Sequence, residues 1–454
     1  MTSRAIGISV TVMALTAGLF LTACEKDVIL QGVRFPVRAP LDASIPVNGQ
    51  ATPIPPPDRP ANQSAGISLP SMVSNADWPQ RGGNVRHVSP HGLLSAVPQL
   101  VWTVQIGSGN SHKNRIDAAP VVAGGAVFAM DALAGVTAVS VSGQTLWHAD
   151  LTATFDNGGG QSGGGLAADS GRLYATTGYG EAVALNASNG AVIWRQRLGA
   201  MASGAPAVSG NLVYVVGDDG TAWALNAATG RIVWTVTGAS SPDAFRFDSG
   251  AAPAVDGGTV VFPFSSGILL AADASTGDTR WSAAVSGTRL GRAYADSGDV
   301  TGDPVLSGGI MYVGTQGGRT GAYSTVNGQR LWTADEGALS PPLVVGGSVF
   351  VVNDEGRLVR LSARDGQTIW AVALPYYVQA RPKKVQAITA SFGPVLAGGH
   401  IIVVSSDGYL RAFNPTDGSL AAQVALPSGA ATPPALAQGQ LYVVNNRGQL
   451  LAFR

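Results

Sequence analysis

The fold is decided by residues 205–234, which read APAVSGNLVYVVGDDGTAWALNAATGRIVW. An Ala-Pro step opens the unit, and glycine-containing turns separate four short apolar runs. The second turn contains Asp219-Gly220, a pair preferred in two-residue hairpins because glycine adopts a positive φ without steric cost. The third turn closes at Gly230, and the last run ends at Trp234. This stretch therefore predicts four short antiparallel strands joined by tight turns.

The same unit recurs from about residue 100 to the end of the chain. Its terminal tryptophan recurs at Trp102, Trp147, Trp194, Trp234, Trp281, Trp332 and Trp370. Its opening proline recurs at Pro120, Pro206, Pro253, Pro304, Pro342, Pro394 and Pro434, and one further copy at Gly165-Leu166 lacks the proline. The tryptophans are on average about 45 residues apart, a spacing typical of propeller blades. Eight copies predict an all-β, eight-bladed β-propeller with four-stranded antiparallel blades, in which each tryptophan packs between neighbouring blades.

The two ends of the repeat region are complementary. The last copy, residues 432–454, stops after its third strand and has no tryptophan strand. The strand at residues 100–104 has the tryptophan but no unit before it. Pairing of these two segments would close the ring and remove the exposed sheet edges.

The N-terminus has the features of an export signal. Arg4 precedes an apolar stretch at residues 6–20, which is too short to be a convincing membrane span. Leu21-Thr22-Ala23-Cys24 resembles the bacterial lipobox, which implies cleavage before Cys24 and lipidation of that cysteine. The alternative is an ordinary secretory signal with an incidental cysteine. By the same resemblance, Glu25 is compatible with transfer to the outer membrane.

The segment that follows is rich in proline and poor in aromatic residues, as in Pro55-Pro56-Pro57. Such a segment cannot bury enough apolar surface to offset its conformational entropy. We therefore predict three parts: a signal peptide at 1–23, a lipidated, Pro-rich flexible tether at 24–77, and the propeller at 78–454.

Composition excludes several classes of function. The 28 Lys and Arg residues balance 28 Asp and Glu residues, whereas nucleic-acid binders normally have a basic excess. The single cysteine excludes an intrachain disulfide and a cysteine zinc site. The five histidines are scattered, and no Gly-x-Ser-x-Gly motif or phosphate-binding loop is present. We expect no catalytic residues, no metal and no cofactor.

One repeat, ADASTGDTRW at residues 272–281, is similar to the pyrroloquinoline-quinone-like repeat of quinoproteins. The founding quinoproteins are dehydrogenases, and that resemblance implies a calcium–quinone site with a vicinal disulfide on a longer chain. One cysteine cannot supply that disulfide. A periplasmic quinone- or small-ligand-binding propeller, acting as a dehydrogenase or sensor, remains the alternative function.

Lipobox, linker and eight repeats together resemble the BamB family of lipoproteins. The resemblance implies a non-catalytic scaffold at the periplasmic face of the outer membrane of a Gram-negative bacterium. The implied partners are the POTRA domains of BamA, the other subunits of the β-barrel assembly complex, and unfolded outer-membrane proteins.

The resemblance also places the BamA contact on two loops that precede Pro253 and Pro304. Trp234 and Pro253 are 19 residues apart and Trp281 and Pro304 are 23 apart, and long loops on a rigid scaffold commonly bind partners. The implied contact residues are Phe245, Arg246, Phe247, Asp248, Arg292, Asp296 and Asp299. Asp248 stands where the family pattern has Arg, and the alternative for both phenylalanines is burial in an extra strand.

A third long insertion, residues 374–391, contains Tyr376-Tyr377 and the basic run Arg381-Pro-Lys383-Lys384. A solvated loop, a partner contact and a lipid-headgroup contact are the alternatives for it.

Overall fold

The computed structural model describes residues 45–46, 48–49, 59–155, 163–202, 204–238, 250–285, 287, 299–379 and 387–454. Arg59–Arg454 forms one compact unit. Its described residues contain 32 strands in eight four-stranded antiparallel sheets, and one 3-10 turn at Arg81–Gly83. The predicted all-β, eight-bladed propeller is confirmed. None of the helices described is long and apolar enough to cross a membrane.

The strands follow one another around the ring in chain order. The first strand and blades 1 to 4 comprise β1 (Leu100–Gln105), β2 (Val121–Ala123), β3 (Ala126–Met130), β4 (Gly135–Ser140), β5 (Thr145–Asp150), β6 (Gly164–Asp169), β7 (Arg172–Thr177), β8 (Glu181–Asn186), β9 (Val192–Arg197), β10 (Ala207–Ser209), β11 (Leu212–Val216), β12 (Thr221–Asn226), β13 (Ile232–Thr237), β14 (Ala254–Asp256), β15 (Thr259–Pro263), β16 (Ile268–Asp273) and β17 (Thr279–Ala284). Blades 5 to 8 comprise β18 (Val300–Ser307), β19 (Ile310–Thr315), β20 (Arg319–Ser324), β21 (Arg330–Ala334), β22 (Leu343–Val345), β23 (Ser348–Val352), β24 (Arg357–Ser362), β25 (Thr368–Ala373), β26 (Ser391–Ala397), β27 (His400–Ser405), β28 (Tyr409–Phe413), β29 (Leu420–Ala425), β30 (Ala435–Ala437), β31 (Gln440–Val444) and β32 (Gln449–Phe453).

The ring is closed by the two ends of the repeat region. Blade 8 has the order β1-β32-β31-β30, so its outermost strand comes from the start of the propeller and its other three strands from the C-terminus. Trp102 pairs with Ala452 and Val104 pairs with Leu450. The predicted closure is confirmed, because the two incomplete units form one complete blade.

Neighbouring blades are joined by a tryptophan of one blade and a glycine of the next. The indole nitrogen of Trp194 donates to the carbonyl of Ala227 at 3.1 Å. A Cβ built on Gly230 would lie 2.6 Å from the Trp194 ring, and Gly230 has φ 72°. A glycine is thus required at this turn both by its positive φ and by the contact with the indole. Trp147 makes the corresponding contact with Gly190 and Trp332 with Gly366.

The antiparallel meander gives the propeller two faces. The connections from one blade to the next lie on one face, which we call the loop face. The turns between the second and third strands of each blade lie on the same face. Hairpins between first and second strands lie on the opposite face, the hairpin face.

Residues 59–74, which we call the strap, lie along blades 6 and 7. Arg59 Nε donates to Glu336 Oε1 at 2.7 Å on the loop face. The Gln63 amide donates to the Ile369 carbonyl of β25 at 2.9 Å, and the Ala65 amide donates to the Thr416 carbonyl at 3.1 Å. Among the described residues, contacts with the propeller begin at Arg59, within the segment 24–77 that the sequence predicts to be a tether. The strap binds the ring through backbone groups as well as through the side chains of Arg59 and Asn62.

Residues 75–92, which we call the plug, run around the inner strands near the hairpin face. They hydrogen-bond to the same register position in seven of the eight inner strands. The bonds join Trp78 with Val122, Pro79 with Ala168, Gln80 with Val208, Val85 with Val255, Arg86 with Leu306, Gly92 with Leu396 and Asn75 with Leu436. The plug thereby pairs backbone groups at inner-strand edges that would otherwise be left without partners.

Candidate partner-binding site

The two loops predicted to bind a partner have their described ends beside one another on the loop face. One connects β13 to β14 and the other connects β17 to β18, so they leave blades 3 and 4 side by side. Their predicted contact residues Phe245, Arg246, Phe247, Asp248, Arg292 and Asp296 lie outside the described residues, as does Cys24. These assignments therefore stay predictions, and the described part of the site is the base of the loops.

Asp299 is the predicted contact residue that the structure does describe. It lies directly before β18, and the residue is only 6% exposed. The next residue, Val300, packs in the apolar core between blades 4 and 5 with Trp281 and Val285. Little of Asp299 is thus accessible to a partner. This residue marks the position at which the second loop ends and the chain becomes part of the core.

A buried ion pair lies under both loops. Arg81 Nε of the plug is 2.7 Å from Asp303 Oδ2 of β18, with side-chain exposures of 8% and 0%. Asp303 Oδ1 accepts a hydrogen bond from the Ala252 amide at 2.7 Å. Arg81 Nη1 donates to the Gly250 carbonyl at 3.2 Å. One guanidinium and one carboxylate therefore connect the end of the first loop with the end of the second.

His87 of the plug completes this cluster. Its Nδ1 lies 2.8 Å from the Pro304 carbonyl, which can only accept, so Nδ1 carries the proton. Burial lowers the pKa of His87; Asp303 acts in the opposite direction, and Arg81 lowers it further. The neutral imidazole therefore donates one hydrogen bond to blade 5 without adding a charge beside Arg81.

The sequence did not single out Arg81, His87 or Asp303. One signal was present: the repeat has Ala before its proline, as in Ala205-Pro206, whereas blade 5 has Asp303-Pro304. A charged residue in place of a buried alanine indicates a buried partner. The partner itself could not be found, because it comes from a segment outside the repeats.

The loop face also has a central cavity of about 530 Å³. Its lining includes Asn110, Arg115, Ile116, Asp117, Leu339, Phe392 and Asn446. Asp117 is the one carboxylate among the described lining residues, whereas calcium takes six to eight oxygen ligands. The residues described hold no group of three or more His, Cys, Asp or Glu able to bind a metal ion. This part of the chain therefore does not fit a calcium–quinone group.

A family model described as "Outer membrane protein assembly factor BamB" matches residues 132–372 and 377–454. The chain is 27% identical to the outer membrane protein assembly factor BamB of Salmonella typhimurium over 384 residues, covering 79% of this chain and 89% of that protein. It is 28% identical to the protein of the same name from Escherichia coli over 380 residues, with the same coverage.

Solved structures share the fold. BamB from Moraxella catarrhalis superposes with a TM-score of 0.61 at 18% identity, covering 79% of this chain and 98% of that chain. A quinohemoprotein alcohol dehydrogenase from Comamonas testosteroni superposes with a TM-score of 0.62 at 16% identity, covering 84% and 81%. At these identities the superpositions show only that assembly factors and dehydrogenases share an eight-bladed scaffold. The function of this chain must therefore be inferred from its site and not from its fold.

Proposed function

The chain belongs to the family of the outer membrane protein assembly factor BamB, and from that premise we propose that it is a non-catalytic scaffold of outer-membrane protein assembly. Its partner is the set of POTRA domains of BamA, which it binds through the loop face at blades 3 to 5. In the complex with BamA and the other subunits it assists the insertion of β-barrel proteins.

The observation that carries this proposal is the family match across almost the whole ring, from residue 132 to residue 454 apart from a four-residue gap. The match includes both loops that precede Pro253 and Pro304.

The base of those loops supports the proposal physically. The Arg81–Asp303 pair and the Ala252 amide hold the loop ends on rigid inner strands. Loops whose ends are fixed lose less conformational freedom on binding, so more of the contact energy appears as affinity.

The setting we propose is the periplasmic face of the outer membrane, with an acyl anchor on Cys24. Stable attachment requires more than one acyl chain, because a single chain gives only marginal membrane binding. The chain that leads from Cys24 reaches the propeller at Arg59, whose partners Glu336 and Glu355 lie on the loop face.

The binding test uses immobilised BamA POTRA domains and the purified mature chain. The double variant Phe247→Ala/Asp296→Arg should bind at least about tenfold more weakly, as expected for interface hot-spot residues. Val326→Ser is the matched control, because Val326 is 83% exposed on the hairpin face. If the parent chain does not bind the POTRA domains, the proposed function is wrong. If both variants bind like the parent, the partner loops are assigned incorrectly.

The dehydrogenase alternative has its own test. Pyrroloquinoline quinone with Ca²⁺ should leave the melting temperature unchanged, because a ligand that binds the folded state would raise it. A clear rise, or reduction of a redox dye, would favour that alternative.

A further inference from the structure

The strap lies in a groove that the ring forms along the outer edge of blade 6. It runs antiparallel to β25, because Asn62 lies beside Ala371 and the next residue, Gln63, donates from its amide to the Ile369 carbonyl at 2.9 Å. The Asn62 side-chain amide donates to the Ala371 carbonyl at 3.2 Å and accepts from the Ala371 amide at 2.9 Å. The strap thus adds to the sheet edge in the manner of an extra strand.

A pocket for a cation lies at the loop-face end of this groove. Arg59 donates to both carboxylate oxygens of Glu336, at 2.7 Å and 3.0 Å, and to Glu355 at 2.5 Å. Glu336 is 3% exposed, and its Oε2 also accepts a hydrogen bond from Asn353 Nδ2 at 2.6 Å. The pocket is therefore positioned by residues of the ring, and bidentate contact with a buried carboxylate favours arginine over lysine.

The third long insertion, residues 374–391, borders the same pocket. A Cβ built on Gly356 would lie 2.4 Å from the Tyr376 ring, so the insertion packs against the turn that carries Glu355. This turn is thus held in place by contacts that do not involve the strap. The basic residues of the insertion lie outside the described part of the chain: Arg381, Lys383 and Lys384.

A buried arginine of blade 6 binds the middle of the strap. Arg360 of β24 is 2% exposed, and it donates to the Ala65 carbonyl at 2.6 Å and to the Gly66 carbonyl at 3.2 Å. Blades 2 and 3 have alanine at the same position of the repeat, Ala184 and Ala224. A buried charged group is costly unless it is hydrogen-bonded. The departure of blade 6 from its repeat therefore supplies a group that binds a peptide backbone.

Two apolar positions complete the contact. Ile67 and Leu69 of the strap pack against the core cluster of blades 6 and 7. Ile369 of β25 is half-buried, whereas Ile193 and Val233, at the same position in blades 2 and 3, are 44% and 50% exposed. The strap therefore covers apolar surface that these other blades leave open to solvent. We call the ring residues that bind it the strap site: Glu336, Glu355, Arg360, Ile369 and Ala371.

The strap has the features of a segment that opens locally. Its residues 60–64 are exposed, and segments with few buried apolar contacts open at a lower free energy than core strands. The groups that bind it are held by the ring itself. Arg360 Nε donates to Ser348 Oγ at 3.0 Å, and Arg360 Nη1 donates to the Pro415 carbonyl at 3.1 Å. The strap site is therefore formed by the ring and does not depend on the strap.

We propose that the strap site is a peptide-binding site and that the strap is its displaceable intramolecular ligand. When the strap is displaced, the site takes an extended segment of another polypeptide. The recognised segment has an arginine, an asparagine three residues later, and aliphatic residues eight and ten positions after the arginine, as at Arg59, Asn62, Ile67 and Leu69. Its other contacts are made by backbone groups, which every sequence presents. The strap is thereby a built-in competitor of the partner.

The test uses the mature chain with Arg59→Ala/Asn62→Ala/Leu69→Ser, which we call the released chain because its strap lacks three side-chain contacts. The probe is a fluorescein-labelled synthetic peptide with the sequence of residues 57–70, and its binding is measured by fluorescence anisotropy. The released chain should bind the peptide at least about tenfold more tightly than the parent chain, because the attached strap of the parent competes at a high effective concentration. Circular dichroism and melting temperature verify that the released chain folds.

Substitutions in the peptide test its recognition without altering the protein. Arg59→Ala in the peptide should weaken binding to the released chain at least about tenfold, because it removes charge-assisted hydrogen bonds with two carboxylates. Ser64→Ala in the peptide is the matched control, since Ser64 is exposed in the strap, and it should bind like the unchanged peptide.

Three results would overturn the proposal: no binding of the peptide by the released chain, equal binding by the released and parent chains, or equal binding of the Arg59→Ala and unchanged peptides. A dimeric parent chain together with a monomeric released chain would also overturn it, because the strap would then bind a second copy of this chain. BamA is absent from this assay, so its outcome is independent of the test of the assembly function.

Discussion

Arg81 and Asp303 are separated by 222 residues in the chain, yet their Nε and Oδ2 atoms are 2.7 Å apart in the centre of the ring. Asp303 is fully buried, so its charge is compensated by Arg81 and by the Ala252 amide. This pair connects a segment outside the repeats to the two strands that carry the proposed partner loops.

Removal of one member of this pair should destabilise the propeller strongly. Arg81→Ala leaves a buried carboxylate without its counter-ion, for which about 3–5 kcal/mol is expected. Urea unfolding of the mature chain measures the change. The control is Arg364→Ala, because Arg364 forms a surface pair with Asp365 and is 89% exposed. Equal stability of the Arg81 variant and its parent would show that the pair does not hold the two loop ends.

Gly230→Ala should destabilise the propeller by about 2–4 kcal/mol, from the positive φ and from overpacking against Trp194. Gly210→Ala separates the two effects, since Gly210 has φ 61° but no atom within 4 Å of a built Cβ. The Gly210 variant should lose only the part of the folding free energy that the positive φ accounts for. A larger loss at Gly210 than at Gly230 would contradict the packing of the indole.

Stability should depend on pH through His87. Its pKa is lower in the folded protein than in the unfolded chain, so the unfolded chain binds the proton first as the pH falls. The free energy of unfolding should therefore decrease as the pH falls below about 6.5, and His87→Asn should reduce this decrease. His112→Asn, at an exposed histidine, is the control. An identical pH profile for His87→Asn and the parent would exclude this role.

Loss of Arg59 should release the strap while the ring stays closed. In Arg59→Ala, hydrogen exchange should become faster at the Gln63 and Ala65 amides, which donate to blades 6 and 7. Amides of β31 should keep their protection. Unchanged exchange at Gln63 would mean that the backbone bonds hold the strap without the ion pair.

Truncations at the two ends should have opposite outcomes. Deletion of residues 449–454 removes β32, which pairs with both β1 and β31, and should prevent folding. Deletion up to residue 58 removes nothing from the compact unit and should leave the melting temperature unchanged. Circular dichroism distinguishes the two results. A folded C-terminal truncation would show that closure of blade 8 is dispensable.

The sequence was sufficient to predict the features that repeat. The spacing of the Trp and Pro residues predicts eight blades. The last unit lacks a Trp strand, which predicts that the Trp102 strand pairs with the C-terminal strand, as it does. The strap and plug could not be predicted, because Gln63, Trp78 and Val85 bind inner and outer strands through backbone groups. Backbone hydrogen bonds impose no apolar period, so these segments carry no periodic signal. The base of the site was missed for a different reason: Arg81 and Asp303 pair through side chains from segments 222 residues apart, which meet only in the closed ring.

The plug also constrains how the ring can evolve. Tandem units of this kind are readily gained or lost as whole copies. Here the plug, which has a fixed length, must reach seven inner strands at one register position. Its length therefore matches the inner circumference of a ring of eight blades. A ring with one copy more or fewer would place those strands out of reach of their partners. Descendants of this chain are therefore expected to keep the number eight for as long as they keep residues 75–92.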